Sequence, residues 1–131
     1  MQLNQLVKDI VMDGVSLSPV DVTGICTHSA DVTHGSLFVA IYGKDTDGHD
    51  FIPHAIKNGA SAIISNGREL GELPVPNIKV ANPRLAASRV AAEYYGHPTK
   101  ELTVIGITGT NGKTTTASIL NEIMKSAQIK S

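Results

Sequence analysis

The sequence lacks the features that mark secreted, membrane-spanning and nucleic-acid-binding proteins. Its single cysteine, Cys26, excludes an internal disulfide and agrees with a reducing compartment. No apolar run approaches the ~20 residues that span a bilayer, and the N-terminal MQLNQLVKDIVMDG lacks the charged start and apolar core of a signal peptide. The 11 basic residues are offset by 12 acidic ones and form no cluster, which argues against electrostatic binding of nucleic acid. We therefore expect a cytoplasmic protein.

Helix signals are spread along a chain whose composition is that of a folded protein. With 131 residues, 41% hydrophobic and 18% charged, the chain is expected to bury a core, as one domain or as one domain and part of another. Apolar residues at helical spacing predict a first helix over 3–10. Residues 51–58 predict a second, with Asp50 as its N-cap and Gly59 after its end. The Ala-rich residues 84–95 predict a third.

Short β-rich runs alternate with these helices. The predicted strands are 22–26, 37–42, 61–66, 78–81 and 102–108. Strands that alternate with helices predict an α/β layered sheet. The Gly, Pro and polar residues of GHPTKE, at 96–101, mark the best domain boundary, which divides the chain into 1–98 and 99–131.

The segment GITGTNGKTTT, which begins at Gly106, has the composition of a phosphate-binding loop. Gly109 and Gly112 permit positive φ and let backbone N–H groups approach an anion closely. Lys113 supplies a positive charge for phosphates, and Thr114 offers a hydroxyl to Mg²⁺. An apolar strand is predicted before the loop, and the final helix is predicted to start near Lys113.

The loop departs from the general pattern G-x-x-x-x-G-K-[ST]. Ile107 stands where that pattern has its first glycine, and the remaining G-x-x-G-K-T is short enough to arise by chance. An ordinary strand-to-helix turn with two glycines is therefore the alternative. The flanking strand and helix favour phosphate binding.

ITGTNGKTTT resembles the ATP loop of the Mur ligase family, whose shorter T-G-x-x-G-K-[ST] form requires no glycine at Ile107. The resemblance continues upstream across nearly the whole chain. SADVTHGSLFVAIYGKDTDGHDFIPHAIKNGASAIIS, at 29–65, is similar to the N-terminal domain of the MurE type. NPRLAASRVAAEYYGHPTKELTVIGITGTNGKTTT resembles the segment that leads into that enzyme's central domain.

This resemblance implies an ATP- and Mg²⁺-dependent ligase of peptidoglycan synthesis. It would add meso-diaminopimelate or L-lysine to UDP-N-acetylmuramoyl-L-alanyl-D-glutamate. In that family ATP phosphorylates the substrate carboxylate, and the incoming amine attacks the acyl phosphate. The implied architecture is a UDP-substrate domain, 1–98, followed by the first strand, phosphate loop and helix of the ATPase domain, 99–131. The chain would then be the front end of a longer enzyme, inactive by itself.

Two alternatives to this interpretation stay open. One is a MurF-type ligase, which adds D-Ala-D-Ala and shares much of the LFVA…G…D-x-H-D-F stretch. The other is a free-standing UDP-sugar or nucleotide-binding module without catalysis.

The resemblance also assigns site residues by position. The ATP-binding residues would be Thr108, Gly109, Thr110, Asn111, Gly112, Lys113, Thr114 and Thr115, with Mg²⁺ at Thr114. The UDP-substrate contacts would be Thr27, Ser29, Lys44, Asp45 and Thr46. Hydroxyls suit uracil and phosphate oxygens, and Lys44 suits a diphosphate. The family's D-S-R pattern is His28-Ser29-Ala30 here, so its arginine is missing. Loop capping is the alternative role of the hydroxyl residues.

Other candidate sites are weaker. DTDGHD, at 45–50, hints at a calcium loop, but the twelfth position from Asp45 is Ile56 rather than Glu. The five histidines show no metal-ligand spacing, so solvated or loop roles are expected for them. Cys26, in an apolar strand, is expected to be a core residue rather than a nucleophile.

The apolar residues of 102–131 need a surface to pack on. The strand 102–108 is apolar on both faces, and the final helix carries one apolar stripe, formed by Ala117, Leu120, Ile123, Met124 and Ala127. One strand and one helix cannot bury these surfaces alone. We expect a homodimer through 102–131, with docking on the chain's own N-terminal domain as the alternative.

Overall fold

The computed structural model describes residues 1–11, 19–44 and 46–129. The chain divides into two compact units, Met1–Pro98 and Thr99–Ser131. That the first is a substrate domain and the second the start of an ATPase domain stays a prediction.

A four-stranded parallel sheet forms the centre of the first unit. Its strands are β1 (Gly24–Cys26), β2 (Ser36–Val39), β3 (Ala62–Ser65) and β4 (Asn77–Lys79), and they lie side by side in that order. The register places Ile25 opposite Leu37 and Ile64 opposite Ile78. The predicted α/β class is confirmed, and the sheet is parallel because each strand is joined to the next by a crossover.

Helices precede, connect and follow these strands. The α-helices are α1 (Leu3–Leu6), α2 (Ile52–Lys57), α3 (Pro83–Tyr94) and α4 (Lys113–Ser126), and 3₁₀ turns cover Ser29–Asp31, Gly48–Phe51 and Pro98–Lys100. The predicted first helix is too long, because its regular part stops at Leu6 and turns follow. No helix in the described ranges has the length and apolar character needed to cross a membrane.

The sheet is covered on both faces, which explains why β2 and β3 are buried along their whole length. Successive side chains of β2 point to opposite faces. Leu37 and Val39 pack in one apolar cluster with residues of α1 and α3. Phe38 packs in a second cluster with Ile52 and Ala55 of α2. The first unit therefore has three layers, helix–sheet–helix.

The N-cap predicted for the second helix is wrong. A 3₁₀ turn, Gly48–Phe51, precedes α2, and the capping side chain is Asp47, whose carboxylate accepts the His49 N–H at 2.9 Å. Asp50 lies inside this turn and pairs instead with Arg68 at 3.1 Å. Because Pro53 is tolerated only in the first turn of an α-helix, the extra turn before it has to be a separate 3₁₀ element.

In the second unit, α4 begins at Lys113 as predicted, but the strand predicted over 102–108 is wrong. A strand is defined by hydrogen bonds to a neighbour, and no strand of the described residues pairs with this segment. Ile105 and Ile107 still line a cavity of about 230 Å³ together with Leu120 and Met124. The predicted apolar stripe of α4 is also divided between two cavities, because Ile123 lines a cavity other than that of Leu120 and Met124.

Candidate functional site

A cavity of about 410 Å³ lies beside the carboxyl ends of β1 and β2. In parallel α/β sheets this edge is where ligands bind, because the loops that leave the strands converge there. The lining residues are Thr27, His28, Ser29, Ala30, Phe38, Ile41, Gly43, Thr46, Gly48, Phe51 and Arg84.

Three of the five predicted substrate contacts line this cavity. They are Thr27, which directly follows β1, Ser29 in the first 3₁₀ turn and Thr46 in the loop after β2. The structure does not bring Lys44 among the lining residues, and its contact with a substrate stays a prediction. The sequence identified the loop, but not which of its residues line the cavity. Asp45 lies outside the described residues.

Two side chains hold Ser29, one from α2 and one from the residue that directly follows this helix. Its hydroxyl lies 2.9 Å from His54 Nδ1, and its carbonyl accepts a hydrogen bond from Asn58 Nδ2 at 2.9 Å. These contacts join the loop after β1 to α2, which is anchored in the core by Ile52 and Ala55. Ser29 is therefore tied to α2 beside the cavity.

The loop after β2 closes by backbone contacts. The Gly43 N–H donates to the Thr46 carbonyl at 2.9 Å, and the Gly48 N–H donates to the Ile41 carbonyl at 3.0 Å. A Cβ at Gly48 would lie 2.7 Å from the Ile41 nitrogen and oxygen, so only glycine fits there. The turn brings Thr46 back to the cavity wall.

His49 holds the other side of this loop, so of the solvated or loop roles expected for the histidines it has a loop role. It is buried, with Nδ1 2.6 Å from Asp47 Oδ1 and Nε2 accepting the Asn66 N–H at 3.1 Å. The hydrogen bond from the His49 backbone N–H, together with the His49 ring and the Arg68 guanidinium, holds the pKa of Asp47 below its usual value. The loop after β2 is thus tied to the end of β3.

Sequence reasoning missed the arginine of the site. Arg84 lies in the first turn of α3, lines the cavity and donates from Nη2 to the Tyr42 carbonyl at 3.3 Å. Its position could have been suspected from the sequence, because it closely follows β4 and the carboxyl ends of parallel strands share one edge. The apolar lining residues Phe38, Ile41 and Phe51 were missed as well.

The cavity combines three kinds of surface. Phe38, Ile41 and Phe51 are apolar, the hydroxyl residues can donate or accept hydrogen bonds, and the arginine carries a permanent positive charge. An apolar wall with a few polar groups is the usual composition of a small-molecule site. This combination suits a ligand with a flat ring and an anionic group.

The predicted phosphate loop lies in the second unit. Gly112 adopts φ +77° and directly precedes α4, so the helix starts from a left-handed residue. Lys113 folds back, and its Nζ donates to the Gly109 carbonyl at 2.6 Å. Residues 108–115 are exposed. A glycine turn that opens a helix beside a lysine fits a polyphosphate, while the individual ATP contacts and Mg²⁺ at Thr114 stay predictions.

Cys26 and the acidic residues add no second site in the part of the chain that the structure describes. Cys26 is half-buried, and its thiol donates to the Asp31 carbonyl at 3.4 Å. Within the described ranges, no three His, Cys, Asp or Glu side chains are grouped so that they could hold a metal ion.

Comparison with known families and proteins gives a matching family and several similar proteins for this chain. The family described as "Mur ligase family, catalytic domain" matches residues 21–95, more than half of the chain. A "UDP-N-acetylmuramoyl-L-alanyl-D-glutamate--2,6-diaminopimelate ligase" of Bacillus velezensis is 43% identical over 97% of this chain and 26% of its own length. A "UDP-N-acetylmuramyl-tripeptide synthetase" of Roseiflexus sp. is 40% identical over 88% of this chain and 23% of its own length.

Solved structures with the same fold carry a different name. MurF from Acinetobacter baumannii superposes with a TM-score of 0.64 and 28% identity, over 86% of this chain and 24% of that one. MurF ligase from Thermotoga maritima, in complex with ADP, superposes with a TM-score of 0.59 and 37% identity, over 78% of this chain and 23% of that one. The chain therefore spans about a quarter of the length of the relatives it matches.

Proposed function

The chain belongs to the Mur ligase family, and we propose that it binds the UDP end of a peptidoglycan precursor as part of a MurE-type ligase. The complete ligase would add a diamino acid, meso-diaminopimelate or L-lysine, to UDP-N-acetylmuramoyl-L-alanyl-D-glutamate. The proposal is supported by the relatives named as diaminopimelate ligases and by the cavity at the carboxyl ends of β1 and β2.

The cavity is the observation that carries the proposal. It brings together Thr27 and Ser29 of the segment after β1 with Thr46 of the loop after β2, and the family resemblance assigns all three to the UDP substrate. Ile41 and Phe51 add apolar surface to the same lining. A uridine ring and its phosphates need both kinds of surface.

ATP is the proposed cofactor, and the loop 108–115 is the proposed place for it. When bound, ATP would supply the phosphoryl group that activates the substrate carboxylate. Here the backbone of Gly109 and Gly112 would surround the phosphates, Lys113 would neutralise charge, and Thr114 would offer a hydroxyl to Mg²⁺. Lys113 would have to exchange its contact with the Gly109 carbonyl for a phosphate oxygen.

The MurF type is the second candidate, because the solved structures that resemble this fold carry that name. The peptide on the UDP substrate separates the two types. A MurE-type ligase acts on the dipeptide precursor. One of the similar structures from Acinetobacter baumannii is instead a "UDP-N-acetylmuramoylalanyl-D-glutamyl-2,6-diaminopimelate--D-alanyl-D-alanyl ligase", whose name contains a precursor that already carries diaminopimelate.

Calorimetry with UDP-N-acetylmuramoyl dipeptide tests the proposal. We expect binding that Ser29→Ala weakens about 3- to 10-fold, the loss of one hydrogen bond. Ser118→Ala, an exposed serine of α4, is the matched control and should leave the affinity unchanged. Tighter binding of the tripeptide form would favour the MurF type. Absence of binding at millimolar concentration, while ATP binds well, would contradict the substrate-domain assignment and favour a nucleotide-binding module.

A further inference from the structure

We propose that Arg84 is the residue that binds the diphosphate of the UDP substrate in this cavity. The inference rests on the proposed function and names a binding residue for it. The sequence alone suggested Lys44 for this role, but the structure does not place Lys44 among the lining residues.

The guanidinium of Arg84 has unused hydrogen-bonding capacity beside the cavity. An arginine has five N–H donors, and the contact the structure gives Arg84 is the one from Nη2 to the Tyr42 carbonyl at 3.3 Å. No carboxylate of the described residues forms an ion pair with it. Arg68 differs, because its guanidinium is shared by Asp47 and Asp50, each at 3.1 Å. Arg84 is thus a permanent positive charge available to an anion.

Arg84 is held in place by the fold. It follows Asn82 and Pro83 at the start of α3, where the Asn82 side chain caps the helix by accepting the Leu85 N–H at 3.1 Å. The contact with the Tyr42 carbonyl joins this helix start to the loop after β2. The arginine therefore meets the ligand from a rigid helix, which limits the entropy lost on binding.

The surroundings favour a phosphate as the anion. The cavity offers the hydroxyls of Thr27 and Thr46 as further donors, and none of the described residues that line it is acidic. A phosphate has several acceptor oxygens and binds well to an arginine fork supported by neutral donors. The apolar side chains of Ile41 and Phe51 leave room for a ring at the same site. This arrangement selects a nucleoside diphosphate over a neutral nucleoside.

The test compares UDP with uridine, which differ only in the diphosphate. We expect Arg84→Met to weaken UDP binding about 10- to 100-fold, the usual effect of losing a charge-assisted contact. Uridine binding should change less than about twofold. Arg84→Lys should keep part of the affinity for UDP, because it keeps the charge but loses the planar fork. Arg89→Met is the matched control on the same helix, since its guanidinium donates to the Asp9 carbonyl at 3.2 Å and lies outside the cavity lining.

Calorimetry at two salt concentrations completes the experiment. The wild type should lose UDP affinity as salt rises, and Arg84→Met should lose less. If wild type and Arg84→Met bind UDP equally, the role of Arg84 is disproved while the proposed function stands. An equal loss for UDP and uridine would make Arg84 a structural residue and also overturn the inference. If the wild type binds neither UDP nor the UDP-muramoyl dipeptide, the proposed function fails and the inference fails with it.

Discussion

The ring of His49 is hydrogen-bonded to the carboxylate of Asp47, two residues earlier in the chain, with Nδ1 2.6 Å from Oδ1. The same Oδ1 accepts the His49 backbone N–H at 2.9 Å. Because His49 Nε2 accepts the Asn66 N–H, the proton of a neutral ring must be on Nδ1, where it is donated to Asp47. Two residues of one short turn therefore fix the loop after β2 to the end of β3.

Replacing His49 should destabilise the first unit. We expect His49→Ala to lower the free energy of unfolding by about 2–4 kcal/mol, because it leaves a cavity and an unsatisfied Asn66 N–H. Denaturant unfolding followed by circular dichroism measures this. His34→Ala is the control, since the side chain of His34 is exposed. Equal unfolding midpoints for the two variants would show that the buried ring contributes no stability.

Asp47 should make stability depend on acid pH. Its pKa in the folded protein is lowered from 3.8, chiefly by the hydrogen bond from the His49 N–H. A lowered folded-state pKa stabilises the protein above the unfolded pKa, and this contribution is lost as the pH falls through 3.8 toward the folded value. The stability difference between wild type and Asp47→Asn should therefore shrink between pH 6 and about pH 3. A difference that stays constant over this range would refute the linkage.

Gly59 and Gly67 form a matched pair for backbone strain. Both have positive φ, +102° and +83°, but of the two only Gly59 has a close neighbour, since a Cβ there would lie 2.9 Å from His34 Cα. Gly67→Ala should cost about 1 kcal/mol from its φ alone, and Gly59→Ala about 1–3 kcal/mol more. Thermal unfolding of both variants compares them directly. Similar melting temperatures would show that the backbone at Gly59 relaxes without cost.

Lys113 should be needed for nucleotide binding by the loop 108–115. We expect this chain to bind ATP weakly and Lys113→Ala to lower the affinity about 10-fold or more, because a charge-assisted contact to phosphate is lost. Lys125→Ala is the control on the same helix, where Lys125 pairs with Glu122 at 2.9 Å. Fluorescence titration with a labelled ATP analogue measures both. ATP hydrolysis by this chain is not expected, and turnover abolished by Lys113→Ala would overturn the expectation that it is inactive alone.

Pairing of two copies through 102–131 stays a prediction. Large apolar side chains are exposed there, among them Leu102 at 65%, Val104 at 68% and Ile123 at 60%. Burial of such side chains between copies would be favourable by ~1.5–3 kcal/mol each. Light scattering over a dilution series should detect a dimer, and Ile123→Asp should weaken it. A monomer at every concentration, with 102–131 still resistant to protease, would disprove the pairing.

The sequence by itself determined the elements whose signals are local. Alternating short strands and helices indicated the α/β class, and Gly112 with Lys113 placed the start of α4 correctly. The cap of the 3₁₀ turn was misjudged because Asp47 and Asp50 both suit such a position, and only the contacts of the folded chain separate them. The family resemblance also depends on local strings of residues, so it needs no knowledge of the tertiary structure.

Tertiary structure alone decided which distant residues meet. Ser29 and Arg84 line one cavity because parallel strands bring the loops after β1 and β4 to the same edge of the sheet. The buried ring of His49 accepts the N–H of Asn66, a residue 17 positions later that directly follows β3. The segment 102–108 has strand-like side chains but is not a strand, because pairing requires a neighbour that the residues themselves cannot specify. Hydrogen bonds and burial between elements are set by the whole packing arrangement, and no local pattern encodes them.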